Sequence, residues 1–361
     1  MNKESKIYVA GHRGLVGSAI LKELQYKGYV NIIIKSHQEL DLINSEEVAS
    51  FFKKEQPEYV FLAAAKVGGI LANNTYRADF IYENLMIQNN VIHQSYVSGV
   101  KKLLFLGSTC IYPKNAPQPL KEDYLLSGAL EYTNEPYAIA KIAGIKMCES
   151  YNLQYNTNFI AIMPTNLYGP NDNFDLETSH VLPALIRKIH LGNLLSKNDW
   201  ESITADLNHL PIKGVSGAAS KQQIIEVLYS FGIKIKEEQV HVELWGSGKP
   251  SREFMWSEDM AAASVYIMEQ VNFIDCITPG AAEIRNTHIN IGTGSDVTIK
   301  ELAELIKKQL GFNGSLEFDS SKPDGTLKKL TEVSKLNGLG WEHTIDLKEG
   351  ISKLYNWYLN N

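Results

Sequence analysis

A Rossmann-type doubly wound fold, a parallel sheet covered by helices on both faces, is predicted by the first half of this chain on three observations. Short apolar runs of strand length recur at 6–10, 31–34, 59–63, 102–106 and 159–163. Long stretches of helical period lie among them, at 79–98 and 137–155. The first run also leads directly into a glycine turn that opens a helix, which is the order a dinucleotide-binding βαβ unit requires.

The opening strand, Lys6-Ile7-Tyr8-Val9-Ala10, feeds Gly11-x-x-Gly14-x-x-Gly17 and an amphipathic helix to about residue 27. Glycines there allow a tight turn and close approach of backbone to a pyrophosphate, whose charge the helix N-terminus stabilises. Gly11, Arg13, Gly14, Leu15, Val16 and Gly17 are therefore expected to line a dinucleotide. The second strand ends at Lys35-Ser36-His37, with no acidic residue at the place where NAD would be held by its ribose hydroxyl. Basic groups at Lys35 and His37, with Arg13, suit a 2′-phosphate and so predict NADP, the alternative being solvated loop residues. The fourth strand runs into Leu106-Gly107-Ser108-Thr109-Cys110 and the fifth into Pro164-Thr165-Asn166-Leu167. Both loops fall at carboxyl ends of parallel strands, where such sheets bind ligands.

Past Tyr168 the pattern loosens. Segments 181–190, 242–245, 260–269, 289–292, 298–310 and 347–359 predict a smaller mixed α/β domain, with one strand returning to the sheet. The expected division is a dinucleotide-binding domain over 1–170, with return segments from the C-terminal half, and a substrate domain over 171–361. Within the latter, 199–207 and 220–231 read as short helices joined by a linker at 211–219.

Composition places this in a soluble enzyme class. A chain of 361 residues can bury a large core, and a net charge of −6 gives no basic footprint for nucleic acid. No apolar run approaches a membrane span, and the polar opening lacks a signal peptide's apolar core, so a cytoplasmic location is expected. Three cysteines, Cys110, Cys148 and Cys276, stand far apart without metal-type spacing, which fits a reducing compartment. Cys148 reads as a buried apolar residue within a helix.

The chemistry rests on five residues. Tyr137 and Lys141, four apart, share one helix face, and a neighbouring ammonium is expected to lower the phenol's pKa. Such a phenol can protonate a ketone oxygen while a hydride arrives at its carbon, and Ser108 can donate to the same oxygen. Cys110 and His180 are surplus to simple ketone reduction. Perturbed thiol and imidazole groups titrate near neutrality, so this pair suits proton movement at carbons beside the ketone.

Six segments, Gly11-x-x-Gly14-x-x-Gly17, Ala63-Ala64-Ala65-Lys66-Val67-Gly68-Gly69, Leu106-Gly107-Ser108-Thr109-Cys110-Ile111-Tyr112-Pro113, Asn134-Glu135-Pro136-Tyr137-Ala138-Ile139-Ala140-Lys141, Met163-Pro164-Thr165-Asn166-Leu167-Tyr168-Gly169-Pro170 and Ser179-His180-Val181-Leu182-Pro183-Ala184, resemble the GDP-L-fucose synthase family of extended short-chain dehydrogenases/reductases. The resemblance covers nearly the whole chain except 191–238. It implies a GDP-4-keto-6-deoxy-mannose type of substrate, epimerised at C3 and C5 and then reduced at C4 by NADPH. By that likeness Ser108, Tyr137 and Lys141 match the reductase triad and Cys110 and His180 the epimerising pair. Lys188, Trp245, Arg252 and Asp324 match positions that hold the GDP-sugar, and Arg13 and His37 match cofactor phosphate contacts, although the family often has arginine where His37 stands. Leu106, Gly107, Pro164, Thr165, Asn166, Leu167, Lys141 and His180 are expected along the cofactor. The two long helices resemble those that pair in this family's homodimers.

Alternatives stay open at several positions. The catalytic set does not report the substituent at C6, so a GDP-4-keto-heptose, or C4 reduction alone, fits the same residues. Dehydration would place acidic residues at 109–110, and Thr109 and Cys110 stand there instead. A non-enzymatic NADP-responsive regulator would not need Tyr137, Lys141, Cys110 and His180 together. His180 could simply cap the helix that follows it, Arg252 could form a surface ion pair, and Trp245 could be a core aromatic. The insertion could shape the substrate mouth, elaborate a surface or contact another subunit.

Overall fold

The computed structural model describes residues 1–322 and 324–361. It divides into two compact units. One comprises Met1–Asn171, Glu253–Ser295 and Leu330–Asp346; the other comprises Asp172–Arg252, Asp296–Lys329 and Leu347–Asn361.

In the first unit five strands follow in chain order: β1 (Ile7–Ala10), β2 (Ile32–Ile34), β3 (Tyr59–Leu62), β4 (Lys102–Leu106) and β5 (Phe159–Pro164). With a returning strand, Ile289–Ile291, they form a six-stranded parallel sheet in the order Ile289–Ile291, β5, β4, β3, β1, β2. The predicted fold class and the predicted return strand are both present. Side chains alternate across the sheet, as strand geometry requires. Ile7 and Val9 join one core with Leu24, Leu104, Met260 and Val265, whereas Tyr8 and Ala10 join another with Phe52, Val91, Phe105 and Ile145. A sheet buried on both faces selects continuous apolar runs, which is why its strands were legible as such.

The helices of this unit include α1 (Leu15–Tyr26), α2 (Ser45–Glu55), α3 (Ile70–Thr75), α4 (Arg77–Val97) and α5 (Glu135–Tyr155). Asn44 caps α2 by accepting from the amides of Glu46 and Glu47, and the Glu residues of its first turn oppose Lys53 and Lys54 in its last. A further helix, Ser257–Gln270, is fastened by Lys102, whose buried ammonium donates to the carbonyls of Ile267 (2.7 Å) and Met268 (2.9 Å). Cys148 is buried in α5, as expected of a small apolar residue.

In the second unit α6 (Val181–Ser196), α7 (Trp200–His209) and α8 (Lys221–Ser230) accompany a three-stranded sheet. Its central strand, Gln239–Trp245, pairs parallel with Ser315–Asp319 and antiparallel with Ile233–Lys236. The two short helices expected between 199 and 231 are α7 and α8, capped by Asp199 and by a Ser220–Gln223 capping box. Strand Ile233–Lys236 was not expected. Its Ile-Lys-Ile-Lys alternation is the period-2 signal of a one-sided strand, with Ile233 buried.

Candidate active site

At the carboxyl end of β1 the glycine turn is constrained by contact rather than by flexibility alone. Gly11 has φ +87°, and a Cβ there would lie 2.6 Å from the Ala64 nitrogen; a Cβ on Gly17 would lie 2.1 Å from the Gly11 carbonyl oxygen. Any side chain at either position would break the turn. Gly14 occupies the cap position of α1 without side-chain capping, so no side chain covers the first amides of α1 and they suit an anion. Leu15 and Val16 form its first turn. His12 in this turn keeps a buried Nδ1 with no partner, and burial, then the charge of Arg13, lowers its pKa. A cradle that only glycine can form, at an uncapped helix start, fits a dinucleotide pyrophosphate.

The second strand end holds more acid than its sequence suggested. Lys35 lies 3.7 Å from Glu39, and His37 lies 3.8 Å from Asp41. Glu39 also accepts from the Ser36 amide (2.8 Å) and hydroxyl (2.7 Å), which hold its carboxyl down at about 2. Sequence reading looked for a carboxylate at the strand end itself and missed one folded back four residues later. The Ser36-x-x-Glu39 spacing was the signal that could have found it.

At the end of β4, Gly107 leads into Ser108, which caps a 3-10 turn, Thr109–Ile111, its hydroxyl accepting from the Cys110 amide at 3.4 Å. Cys110 is buried. Helix α5 begins with Pro136 in its first turn, a position where a missing N–H costs nothing, and so delivers Tyr137 and Lys141 on one face as predicted. The buried Lys141 ammonium donates to the Leu106 carbonyl at 2.8 Å and sits 5.7 Å from the Tyr137 ring centre. Tyr137 packs edge-on against Phe80, ring centres 6.3 Å apart.

The expected lowering of the Tyr137 pKa does not hold in this structure. Burial, followed by the neighbouring Cys110, pushes the phenol well above its ordinary value. The lysine's proton is directed to a backbone carbonyl rather than to the phenol, so desolvation outweighs its field. Lys141 is itself pulled down by burial, to about 8. The consequence is a tyrosine held protonated, ready to donate, with Cys110 near enough to act on both groups electrostatically.

Behind this loop lies a buried polar network that sequence reading did not reach. The Tyr112 hydroxyl donates to Asn290 Oδ1 at 2.6 Å, which leaves its oxygen to accept from His288 Nε2 at 3.0 Å. Asn290 in turn donates to the Leu120 carbonyl and, through its amide, to Glu122. Burial, reinforced by Lys335 and Lys146, holds His288 neutral down to about 3. An unfolded histidine takes its proton near 6.5, so between those values the unfolded chain binds the extra proton. The stability His288 contributes is complete above about 6.5 and is lost as pH falls toward 3. Thermal melts should therefore show a Tm falling from pH 7 to pH 5, and His288→Gln should flatten that slope.

Pro164 ends β5, and Asn166 and Leu167 lie in a strand, Asn166–Tyr168, parallel to Phe254–Trp256. Thr165 and Asn166 both donate to the Glu253 carbonyl, Asn166 at 2.8 Å.

The remaining predicted residues belong to the second unit. His180 precedes α6 in the cap position but makes no side-chain capping bond, so the capping role does not explain it; burial lowers its pKa. One helical stretch on, Lys188 donates to the Glu243 carbonyl at 2.6 Å and is pulled down by burial to about 8. Trp245 is 74% exposed, with the Lys322 ammonium 5.7 Å from its ring centre, and is therefore no core aromatic. Arg252 donates to the carbonyls of Ser251 (2.7 Å) and Thr326 (2.6 Å) rather than to a carboxylate. Asp324 accepts from the Ser247 amide and hydroxyl at 2.8 and 2.7 Å, closing the loop that follows Trp245.

Comparison with known proteins gives the family. The family model described as the NAD dependent epimerase/dehydratase family matches residues 7–208 and 215–292. The chain is 50% identical over 360 residues to GDP-L-fucose synthase 1 of Arabidopsis thaliana, covering all of this chain and 95% of that protein. Among solved structures, a GDP-6-OMe-4-keto-L-xylo-heptose reductase from Campylobacter jejuni is 50% identical with a TM-score of 0.91, covering 100% of this chain and 99% of that one. A GDP-D-glycero-L-gluco-heptose synthase from the same organism, determined in the presence of NADPH, is 49% identical with a TM-score of 0.88, at the same coverages. With its glycine cradle, its Ser108, Tyr137 and Lys141, and these full-length likenesses, the chain belongs to the NAD dependent epimerase/dehydratase family and to its GDP-L-fucose synthase branch.

Proposed function

We propose that this protein converts GDP-4-keto-6-deoxy-D-mannose to GDP-L-fucose, by epimerisation at C3 and C5 followed by NADPH-dependent reduction at C4. The observation that carries the reading is one loop: Ser108 and Cys110 follow the same strand, and Tyr137 with Lys141 faces them from α5. A C4 ketone acidifies the hydrogens on both neighbouring carbons. Tyr137 and Ser108 donate to its oxygen, stabilising first an enolate and then an alkoxide, while Cys110 and His180 remove and return protons at C3 and C5. NADPH, held at the Gly11, Gly14 and Gly17 cradle, would supply the hydride to C4. Tyr137, held protonated by burial, completes the reduction by giving its proton to the oxygen, and Lys141, beside it on α5, would lie along the cofactor. Lys188, Trp245, Arg252 and Asp324 serve the GDP portion in this reading, which makes the second unit the substrate domain and 1–170 the core of the cofactor domain.

A second substrate has a specific observation behind it. Two Campylobacter enzymes named for GDP-heptoses match this chain end to end at 49–50% identity. Incubation with NADPH and each 4-keto sugar, GDP-deoxyhexose or GDP-heptose, followed by product NMR, decides between them. Turnover of the heptose alone would overturn the fucose reading, and reduction without exchange at C3 and C5 would reduce the activity to C4 reduction.

For the cofactor, Arg13→Ala should weaken NADPH by about 10- to 100-fold, the loss of one hydrogen bond to a charged group, while leaving NADH nearly unchanged. Titrating the fluorescence of each reduced cofactor measures this, and equal weakening of both would count against a 2′-phosphate contact.

The homodimer reading is supported by the surface of α4 and α5, where Tyr82, Val97, Leu153 and Tyr155 stand exposed and Tyr96 stacks on Tyr155 with ring centres 4.3 Å apart. Light scattering at micromolar concentration should give twice the chain mass. Three buried cysteines, none in a disulfide, agree with the cytoplasm as location, and among the described residues no helix is long and apolar enough to cross a membrane.

A further inference from the structure

The segment 191–238 meets, at its two ends, two elements that carry candidate substrate residues. At one end α7 is joined to α6 through an ion pair whose arginine is fully buried and whose aspartate side chain is 7% exposed. Arg187 of α6 is 0% exposed. Its Nε and Nη2 donate to Asp206 Oδ1 of α7 at 3.2 and 2.8 Å, and its Nη1 donates to the Phe174 carbonyl at 3.3 Å. Nη2 also reaches the Leu210 carbonyl beyond α7, while the Tyr358 hydroxyl, from helix Leu347–Asn360, donates to the other Asp206 oxygen. Among the described residues Asp206 is the only carboxylate within ion-pair distance of Arg187. At the other end strand Ile233–Lys236 lies along the strand that finishes at Trp245. Glu243 of that strand joins both ends: its carboxylate pairs with Lys234 at 2.9 Å, and its carbonyl accepts from Lys188.

We propose that 191–238 is an internal brace for the nucleotide-sugar residues of the second unit, and that Asp206 is its positioning residue. Resting on the reading that Lys188 and Trp245 bind the GDP portion, the inference adds what holds them. Arg187 immediately precedes Lys188 on α6. Its bond to Phe174 fixes the loop that leads into His180, and Phe174 is itself packed on Tyr358 with ring centres 4.5 Å apart. A buried guanidinium must have its charge met, or its surroundings rearrange to reach water. Without Asp206, the segment free to rearrange is the loop and helix bearing His180 and Lys188. A guanidinium buried here and bonded to Asp206, Phe174 and Leu210 favours a brace over a surface elaboration.

The test uses the whole chain with GDP as the probe. Asp206→Asn should weaken GDP by about tenfold or more in calorimetry, since loss of a distant support can cost up to about 10²-fold. It should raise KM for the 4-keto sugar alike, while NADPH affinity, set in the first unit, stays within about twofold of wild type. A general loss of structure would lower both affinities together, and that outcome overturns the proposal, as does an unchanged GDP affinity in a folded variant. If Asp206→Asn does not fold, Tyr358→Phe decides: GDP binding weakened by about threefold or more supports the brace, the loss of one hydrogen bond being worth about that, and unchanged binding overturns it. Failure of wild type to bind GDP removes the functional reading and the brace with it, whereas wild-type binding with an indifferent Asp206→Asn removes the brace alone.

Discussion

Tyr137→Phe should cut NADPH oxidation by at least about 10²-fold while leaving part of the exchange at C3 and C5, because a positioned general acid contributes about 10² to 10⁴. The phenylalanine ring keeps the packing on Phe80 but cannot protonate the oxygen as hydride arrives at C4. Ser108 still polarises the ketone, so an enolate remains reachable and the exchanging groups are untouched. The same assay in wild type should lose rate as pH rises through about 8, where Lys141 gives up its charge; below that value the ammonium is present and the rate holds. Absorbance of NADPH beside NMR of the 4-keto sugar in heavy water measures both arms. Wild-type NADPH oxidation by Tyr137→Phe would remove the phenol from the reaction.

Much of this site was legible because its determinants are local. A glycine turn at a strand end, a Tyr-x-x-x-Lys spacing and a Ser-x-Cys loop are each fixed by a few neighbouring residues, and backbone geometry carries them to the carboxyl ends of parallel strands. The bland readings of His180 and Trp245 failed for physical reasons that only coordinates supply, an unmade capping bond and an exposed ring. What the sequence did not reveal depends on long-range company. Tyr112 meets His288 and Asn290 across more than 170 residues, and nothing near Tyr112 announces that pair. Arg187 and Asp206 are separated by 19 residues and a helix break, so neither helical spacing nor charge patterning joins them. The tyrosine pKa went wrong for a related reason. Spacing placed Lys141 beside Tyr137, but only the fold shows its ammonium turned to the Leu106 carbonyl within a dry site.

Cys110→Ser should separate the two chemistries in the opposite sense. A serine hydroxyl has nearly the thiol's shape but does not ionise near neutrality, so proton movement through that position should fall by about 10² to 10⁴, the range for a lost general acid or base. Deuterium incorporation at C3 and C5 should drop accordingly, while some direct C4 reduction of the unepimerised ketone persists through Tyr137, Ser108 and Lys141. The substitution also tests the electrostatics of the loop. Cys110 is the second cause, after burial, of the raised Tyr137 pKa and acts on Lys141 as well, so a non-ionising residue there should move the alkaline limb of the reduction profile slightly downward. Its sign follows from the lysine: a thiolate nearby favours the ammonium, and removing it lets the proton leave at lower pH. Should Cys110→Ser exchange both positions at the wild-type rate, the thiol is a packing residue of the Ser108 loop, and the protein is a C4 reductase without epimerase activity.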